Sequence, residues 1–224
     1  MSCTRLRVLA SLAGVALWLA SPAAAEFVST VTLCDSYGTT DGGEFAMYFQ
    51  EFPFEPVSLG AATDDIFETF CIEITEHVDY DRMFWVDFDT AAVSGGAGGG
   101  NPDPLDPRSA YLYTKFINGE LDGYVYDTSD GGTARAACAD ALQHVFWFIE
   151  EEEAQTWTTG DGSLADQYYQ DAVDNAGADI GDVLVMHLYW DAEGEELAQD
   201  QLVLVPEPAT ALLLGVGLLW LRRR

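Results

Sequence analysis

Short runs of β-branched and aromatic residues lie on both sides of a helical middle section in this 224-residue chain. Clusters of glycine, aspartate and proline separate these runs, which is typical of β-strands. The predicted strands are residues 27–34, 44–50, 65–75, 82–89, 182–190 and 198–204. Strands before and after a block of helices predict an α+β domain, in which a β-sandwich or barrel carries an inserted helical layer.

Three longer runs in the middle section have helical spacing. They are residues 108–118, 133–152 and, with a weaker pattern, 163–176. Thr133 and Ser163 are suitable N-caps, because their hydroxyl oxygens can accept hydrogen bonds from the first helical turn. The glycine-rich stretch 94–104 lacks the Lys-Ser/Thr pair of a phosphate-binding loop, so we expect a flexible connection there.

The N-terminus has the pattern of a secretory signal. Arg5 and Arg7 precede an apolar run over residues 8–20, and the small residues that follow predict cleavage after Ala25. The alternative is a membrane anchor, but such a run spans only about 20 Å as a helix, against a hydrocarbon core of about 30 Å. We therefore expect residues 1–25 to be a signal peptide removed by signal peptidase, and the domain over residues 26–204 to be exported.

The C-terminus combines a proline hinge, an apolar run and a basic end. Pro206, Glu207 and Pro208 precede apolar residues 209–221, and Arg222, Arg223 and Arg224 end the chain. Residues 205–224 resemble the PEP-CTERM sorting signal. The resemblance implies a short transmembrane helix, recognition by exosortase, and localisation to the cell surface or extracellular matrix of a Gram-negative bacterium. A plain C-terminal anchor is the alternative on composition alone.

The charge balance restricts the partners of the middle domain. The chain has 38 acidic and 9 basic residues, and all but one of the acidic residues lie between residues 26 and 205. A negative field of this size repels phosphate backbones, so we expect no nucleic-acid partner. Cations or cationic partners are favoured instead.

Calcium is the cofactor that this charge suggests, although no cofactor is required by the rest of the sequence. Candidate ligands lie near glycine turns, at Asp122, Asp127, Asp130, Asp161 and Asp166. The spacing of an EF-hand is absent, and the three isolated histidines do not form a zinc pattern. The acidic run 150–153 would lie at a helix C-terminus, where a cation could relieve its charge, but a solvated acidic surface is the stronger explanation of these residues.

Three cysteines remain after removal of the signal: Cys34, Cys71 and Cys138. An odd number in an exported chain leaves at least one thiol outside any internal disulfide. A disulfide between Cys34 and Cys138 would leave Cys71 free, whereas three inert buried thiols are also compatible with the sequence.

Cys71 and Gln143 lie in distinctive contexts. Strand alternation places Cys71 on the face opposite Phe70 and Ile72, away from the evident apolar stripe. Gln143 has Phe146 and Trp147 one turn later on its helix, so its carboxamide is expected to be buried and to need a specific partner.

Two short motifs resemble the thioester domains of bacterial surface adhesins. They are Phe70-Cys71-Ile72 and the segment Gln143-His144-Val145-Phe146-Trp147, within a resemblance that covers residues 64–152. In that family, the cysteine is joined to the glutamine by an internal thioester. The resemblance implies a bond between Cys71 and Gln143 that could acylate an amine on a surface or an exopolysaccharide matrix component. His77 and His144 are candidate assisting bases. The alternative is a small core cysteine beside an ordinary hydrogen-bonded glutamine.

No pattern of a turnover enzyme is present. A Gly-x-Ser-x-Gly nucleophile elbow is absent, and acidic pairs are too frequent for one pair to be selected. We therefore expect a non-enzymatic surface or matrix protein that attaches covalently through Cys71 and Gln143. A noncovalent structural or binding module is the alternative, and a secreted hydrolase is the weakest candidate.

Overall fold

A computed structural model describes residues 29–34, 37–38, 42–49 and 66–205. Six strands form one antiparallel sheet in the order β3-β2-β1-β4-β7-β8, with three helices between β4 and β7 in the chain. The sheet strands are β1 (Ser29–Cys34), β2 (Phe45–Phe49), β3 (Ile66–Thr69), β4 (Met83–Asp89), β7 (Val183–Tyr189) and β8 (Gln201–Leu204). A separate two-stranded sheet pairs β5 (Ala91–Ala92) with β6 (Asp103–Pro104). The predicted α+β class is confirmed, with three helices inserted between strands of a curled antiparallel sheet.

The two edges of the large sheet meet just beyond β3. The backbone N–H of Leu202 donates to the carbonyl of Phe70 at 3.0 Å, and that of Ile72 donates to the carbonyl of Asp200 at 3.2 Å. Cys71 lies between these two hydrogen bonds and forms an antiparallel β-bridge with Gln201. The prediction of one strand over 65–75 was therefore too long, because the chain leaves β2 after Thr69 and pairs with β8 instead.

Apolar side chains are divided between two cores. One core is formed by the same face of all six strands and includes Val31, Met47 and Phe84. The other lies between β7, β8 and the helices, where Val185 and Leu202 pack with the helical residues. Both faces of the segment after β3 are consequently buried. Cys71 belongs to the first core, and Phe70 belongs to the second. Strand alternation alone had placed Cys71 away from the apolar stripe, but its side chain is part of a core.

Three helices form the layer over β7 and β8. They are α1 (Pro107–Ile117), α2 (Thr133–Ile149) and α3 (Leu164–Asn175). Ser163 caps α3 as predicted, with its hydroxyl accepting from the backbone N–H of Asp166. The N-cap of α2 is Gly132 rather than Thr133; its φ of 81° lies in the left-handed region that glycine tolerates.

The glycine-rich stretch is held in place rather than free. The Glu152 carboxylate accepts hydrogen bonds from the backbone N–H groups of Ala97 at 3.1 Å and Ile74 at 3.0 Å. Glu150 similarly accepts from the N–H of Asp106 at 3.3 Å. Both glutamates are buried, with 7% and 5% of their surface exposed for Glu150 and Glu152 respectively. The expectations of a flexible connection and of a solvated acidic run were thus wrong at these residues.

The predicted terminal signals lie outside the described residues. These are the signal peptide over residues 1–25 and the sorting segment after residue 205, with Pro206, Glu207, Pro208 and the three terminal arginines. Within the described part of the chain, no helix combines the length and apolar character needed to cross a bilayer.

Candidate functional site at Cys71 and Gln143

Cys71 lies at the junction of the two sheet edges and has no exposed surface. Its backbone is fixed by the pairing of residues 70–72 with residues 200–202. The side chain points into the core formed by the strands, where Trp147 is a neighbour. A rigid backbone on both sides gives the sulfur a defined position.

Gln143 approaches Cys71 from helix α2, 72 residues later in the chain. Its Nε2 donates to the backbone carbonyl of Cys71 at 2.7 Å. Its Oε1 lies 3.3 Å from Cys71 Sγ, with the thiol as donor. Only 1% of the Gln143 surface is exposed. The sulfur and the carboxamide of the predicted pair are therefore in contact, within a site from which water is largely excluded.

A second donor contacts the same amide oxygen. The backbone N–H of Gly43 lies 3.2 Å from Gln143 Oε1. Gly42 comes so close to the helix that an added Cβ would lie 2.5 Å from the Trp147 ring and 2.8 Å from Gln143 Cγ. Its φ of 138° is also unfavourable for other residues. Sequence analysis missed both glycines; two adjacent glycines at a predicted strand start were the available signal.

A buried ion pair holds the chain beside these glycines. Arg135 of α2 donates to both carboxylate oxygens of Glu44, at 2.5 Å and 2.9 Å. The hydroxyl of Tyr124 donates to Glu44 at 2.7 Å. Because Glu44 follows Gly43 directly, this ion pair fixes the N–H that contacts the Gln143 amide. Sequence analysis did not identify these residues either.

The electrostatic surroundings oppose ionisation of the Cys71 thiol. Burial raises the pKa of Cys71 well above its ordinary value, and the negative charges of Glu73 and Glu152 act in the same direction. The indole N–H of Trp147 lies near the sulfur and acts in the opposite direction, lowering this pKa. Trp147 Nε1 is buried and has no conventional hydrogen-bond acceptor, which leaves its N–H available to the sulfur. A neutral, protected thiol is the resting form that follows.

A pocket of about 480 Å³ opens beside the buried pair. Gly42 and Trp147 form part of its wall and also surround Gln143, so they separate the pocket from the amide. His77 and His144 line the same pocket, although no direct contact joins either imidazole to Cys71 or Gln143 among the hydrogen bonds of the described residues. His144 Nδ1 lies 2.6 Å from Glu153 Oε1, and its ring packs edge-on against Trp147.

The other two cysteines are not joined. Cys34 and Cys138 are both free thiols, so the suggested disulfide is not present. Cys138 Sγ instead accepts from the backbone N–H of Val125 at 3.4 Å and donates to the carbonyl of Gly123 at 3.6 Å. Cys138 is a buried thiol that holds the loop before α2.

The aspartates suggested for calcium have other roles. Asp127 and Asp130 accept backbone N–H groups in the turn before α2, and Asp161 and Asp166 do so around the start of α3. Neither these four nor Asp122 join any group of three metal-ligating atoms in the described ranges. Asp127, Asp130, Asp161 and Asp166 therefore stabilise turns and helix starts.

Comparison with known proteins gives two similar structures. Thioester domains of bacterial surface proteins are similar in fold. One is the N-terminal thioester domain of a surface protein from Clostridium perfringens, with a TM-score of 0.37 and 10% identity over 70% of this chain and 86% of that chain. Another is the N-terminal thioester domain of protein F2 like fibronectin-binding protein from Streptococcus pneumoniae, with a TM-score of 0.39 and 9% identity over 79% of this chain and 92% of that chain. No family model and no curated protein sequence matches the chain.

The local geometry is suited to acyl transfer within the chain. A nucleophilic sulfur lies beside a carboxamide, and the Gly43 N–H donates to the oxygen that gains charge when the carbonyl is attacked. The helix and the sheet junction hold both reactants in place, which lowers the entropic cost of their reaction. The same contacts also serve as an ordinary structural hydrogen-bond network.

Proposed function

We propose that this chain is an exported surface or matrix protein that forms an internal thioester between Cys71 and Gln143 and uses it for covalent attachment. The contact between Cys71 Sγ and Gln143 Oε1, in a site closed by Gly42 and Trp147, is the observation that supports this proposal. Signal peptidase would remove the N-terminal signal from the exported chain, and exosortase would recognise the C-terminal segment at a Gram-negative envelope.

Formation of the bond requires no external reactant. The sulfur attacks the side-chain carbonyl carbon of Gln143, a C–S bond forms, and the C–N bond to Nε2 breaks. The Sγ proton leaves with the nitrogen as ammonia. During the step, the Gly43 N–H stabilises the negative charge on the carbonyl oxygen. Burial then protects the thioester from hydrolysis.

The attachment step consumes the bond once. An amine attacks the same carbonyl carbon, the C–S bond breaks, and the amine becomes joined to the Gln143 side chain as an amide. The proton lost by the amine returns to Cys71 Sγ. His77 and His144 on the pocket wall are the candidate bases for the incoming amine. Glu153 also lines this pocket, and its charge favours a cationic amine such as a lysine side chain.

Amine capture tests this function. The purified protein is incubated with a biotin-linked primary amine, denatured, and analysed by blotting and peptide mapping. We expect one label per chain, attached at Gln143, and no label in the Cys71→Ala variant. Cys34→Ser is the matched control, since it removes a half-buried thiol away from the pair and should label fully. Labelling that is absent in the wild type, or that persists in Cys71→Ala, would contradict the proposal.

A noncovalent binding module is the second candidate, and one observation favours it. Both ends of the Gln143 amide are already hydrogen-bonded, to the carbonyl of Cys71 and to the N–H of Gly43. Such bonds would join helix, sheet and loop without any covalent chemistry. In that case Gln143→Ala would destabilise the fold, and the wild type would fail to capture the amine.

A further inference from the structure

Three carboxylates converge outside the Cys71–Gln143 pair. One oxygen from each of Glu73, Glu76 and Asp200 lies within 4.8 Å of the others. Glu73 and Glu76 belong to the segment after Cys71, and Asp200 immediately precedes β8. The sheet junction that positions the sulfur therefore also brings these acids together.

The carboxylate of Glu73 is buried without a partner. Only 2% of the residue surface is exposed, and neither Oε1 nor Oε2 has a hydrogen-bond partner. Glu76 Oε2 is buried and unpartnered as well. An unpaired buried carboxylate among like charges is costly, so a proton or a cation must compensate it.

The surrounding backbone is fixed before any ligand arrives. Gln199 Nε2 donates to the carbonyl of Glu73 at 2.9 Å and to that of Glu76 at 3.1 Å, which closes the turn between them. Asp200 Oδ2 accepts from the N–H of Val93 at 2.9 Å, and its Oδ1 lies 2.9 Å from His187 Nδ1. Hydrogen bonds therefore fix the backbone at Glu73 and Glu76 and the carboxylate of Asp200.

We propose that Glu73, Glu76 and Asp200 form a binding site for Ca²⁺. An all-oxygen ligand set selects a hard cation, and Ca²⁺ accepts six to eight oxygens in a flexible geometry, whereas Mg²⁺ demands a near-ideal octahedron. Glu76 and Gln199 line the pocket of about 480 Å³, which gives the ion an entry path and supplies water for the remaining positions. The chain has 38 acidic and 9 basic residues, and this negative charge also concentrates cations at the protein surface.

Calcium binding does not rest on the proposed function, because Glu73, Glu76 and Asp200 take no part in the acyl transfer between Cys71 and Gln143.

Thermal melts and calorimetric titration of the purified protein test the site. We expect one Ca²⁺ per chain and a rise in Tm of about 3–5 °C at tenfold the Kd, relative to chelator. Glu73→Gln keeps the side-chain shape but removes one charge. It should lose the calcium-dependent shift while its Tm in chelator equals or exceeds that of the wild type.

Glu195→Gln is the matched control, since it makes the same change at an exposed residue and should keep the full shift. Cys71→Ala should also keep it, which separates the metal site from the thioester. Identical wild-type melts with Ca²⁺ and with chelator would overturn the proposal. A proton, rather than a cation, would then neutralise the buried carboxylates. A shift that survives in Glu73→Gln would overturn it too, because the ion would then bind elsewhere on the acidic surface.

Discussion

Gln143 and Cys71 contact each other twice: the amide nitrogen donates to the Cys71 carbonyl at 2.7 Å, and the amide oxygen lies 3.3 Å from the Cys71 sulfur. The first contact orients the amide, and the second places its carbonyl beside the nucleophile. A small rotation of the Gln143 side chain would lose both contacts together. Groups that limit this rotation are therefore the most informative to change.

Gly42 is one such group. We expect Gly42→Ala to lower the free energy of unfolding by about 1–3 kcal/mol, because the new Cβ overlaps the Trp147 ring. It should also reduce amine capture by displacing the Gln143 side chain. Gly119→Ala is the control: its φ of 71° is also positive, but no atom lies within 4 Å of the added Cβ. Urea unfolding and amine labelling should show that only Gly42→Ala impairs capture; equal labelling of both variants would exclude this role for Gly42.

Trp147 provides an N–H near the sulfur. Trp147→Phe removes this donor while keeping an aromatic ring, so the pKa of Cys71 should rise further. Loss of one such interaction should slow thioester formation by roughly tenfold. Trp157→Phe makes the same change at another indole whose buried N–H lacks a partner, within the helical layer. Mass spectrometry over time after refolding would follow ammonia loss, and equal rates in both variants would refute the role of Trp147.

The buried ion pair between Arg135 and Glu44 should dominate the stability of the loop beside Gly43. We expect Arg135→Met to cost about 3–5 kcal/mol, because it leaves the Glu44 carboxylate buried without its cation. Adding Glu44→Gln to this variant should recover part of the loss. Arg108→Met, at an ion pair whose side chains are 35% and 27% exposed, should cost less than about 1 kcal/mol. Similar losses for both arginine variants, measured in urea, would argue against a structural role for the buried pair.

Glu150 should make stability dependent on pH. Burial, together with the charges of Asp106 and Asp103, raises the pKa of Glu150 from 4.5 to about 8. The folded state thus binds a proton that the unfolded state has released, so the stabilisation is complete below pH 4.5 and is lost as the pH rises through 8. Tm should fall over this range, and Glu150→Gln should flatten the decline. A slope unaffected by Glu150→Gln would disprove the assignment.

Much of the fold follows from local patterns in the sequence. All six strands of the large sheet lie within their predicted ranges, and α1–α3 begin within one residue of prediction, because alternation, helical spacing and caps such as Ser163 are local signals. The sequence also brought attention to Cys71 and Gln143, through the aromatic residues beside each of them.

The contacts between distant segments could not be predicted in the same way. Closure of the sheet depends on Phe70 pairing with Leu202, and no local property of either residue specifies that partner. Glu73 and Glu152 were expected to be ordinary strand and surface residues, yet they are buried because the segments around them meet only in the folded chain. The predicted environment of Gln143 lacked one hydrogen-bond donor for the same reason, because the Gly43 N–H comes from 100 residues earlier in the chain.

Intact mass spectrometry of the freshly purified protein tests the thioester most directly. We expect the wild type and Cys34→Ser to be lighter by one ammonia than the masses calculated from their processed sequences, and Cys71→Ala and Gln143→Ala to have their full calculated masses. A wild-type protein of full mass would contradict the covalent account and leave Cys71 and Gln143 as structural hydrogen-bond partners.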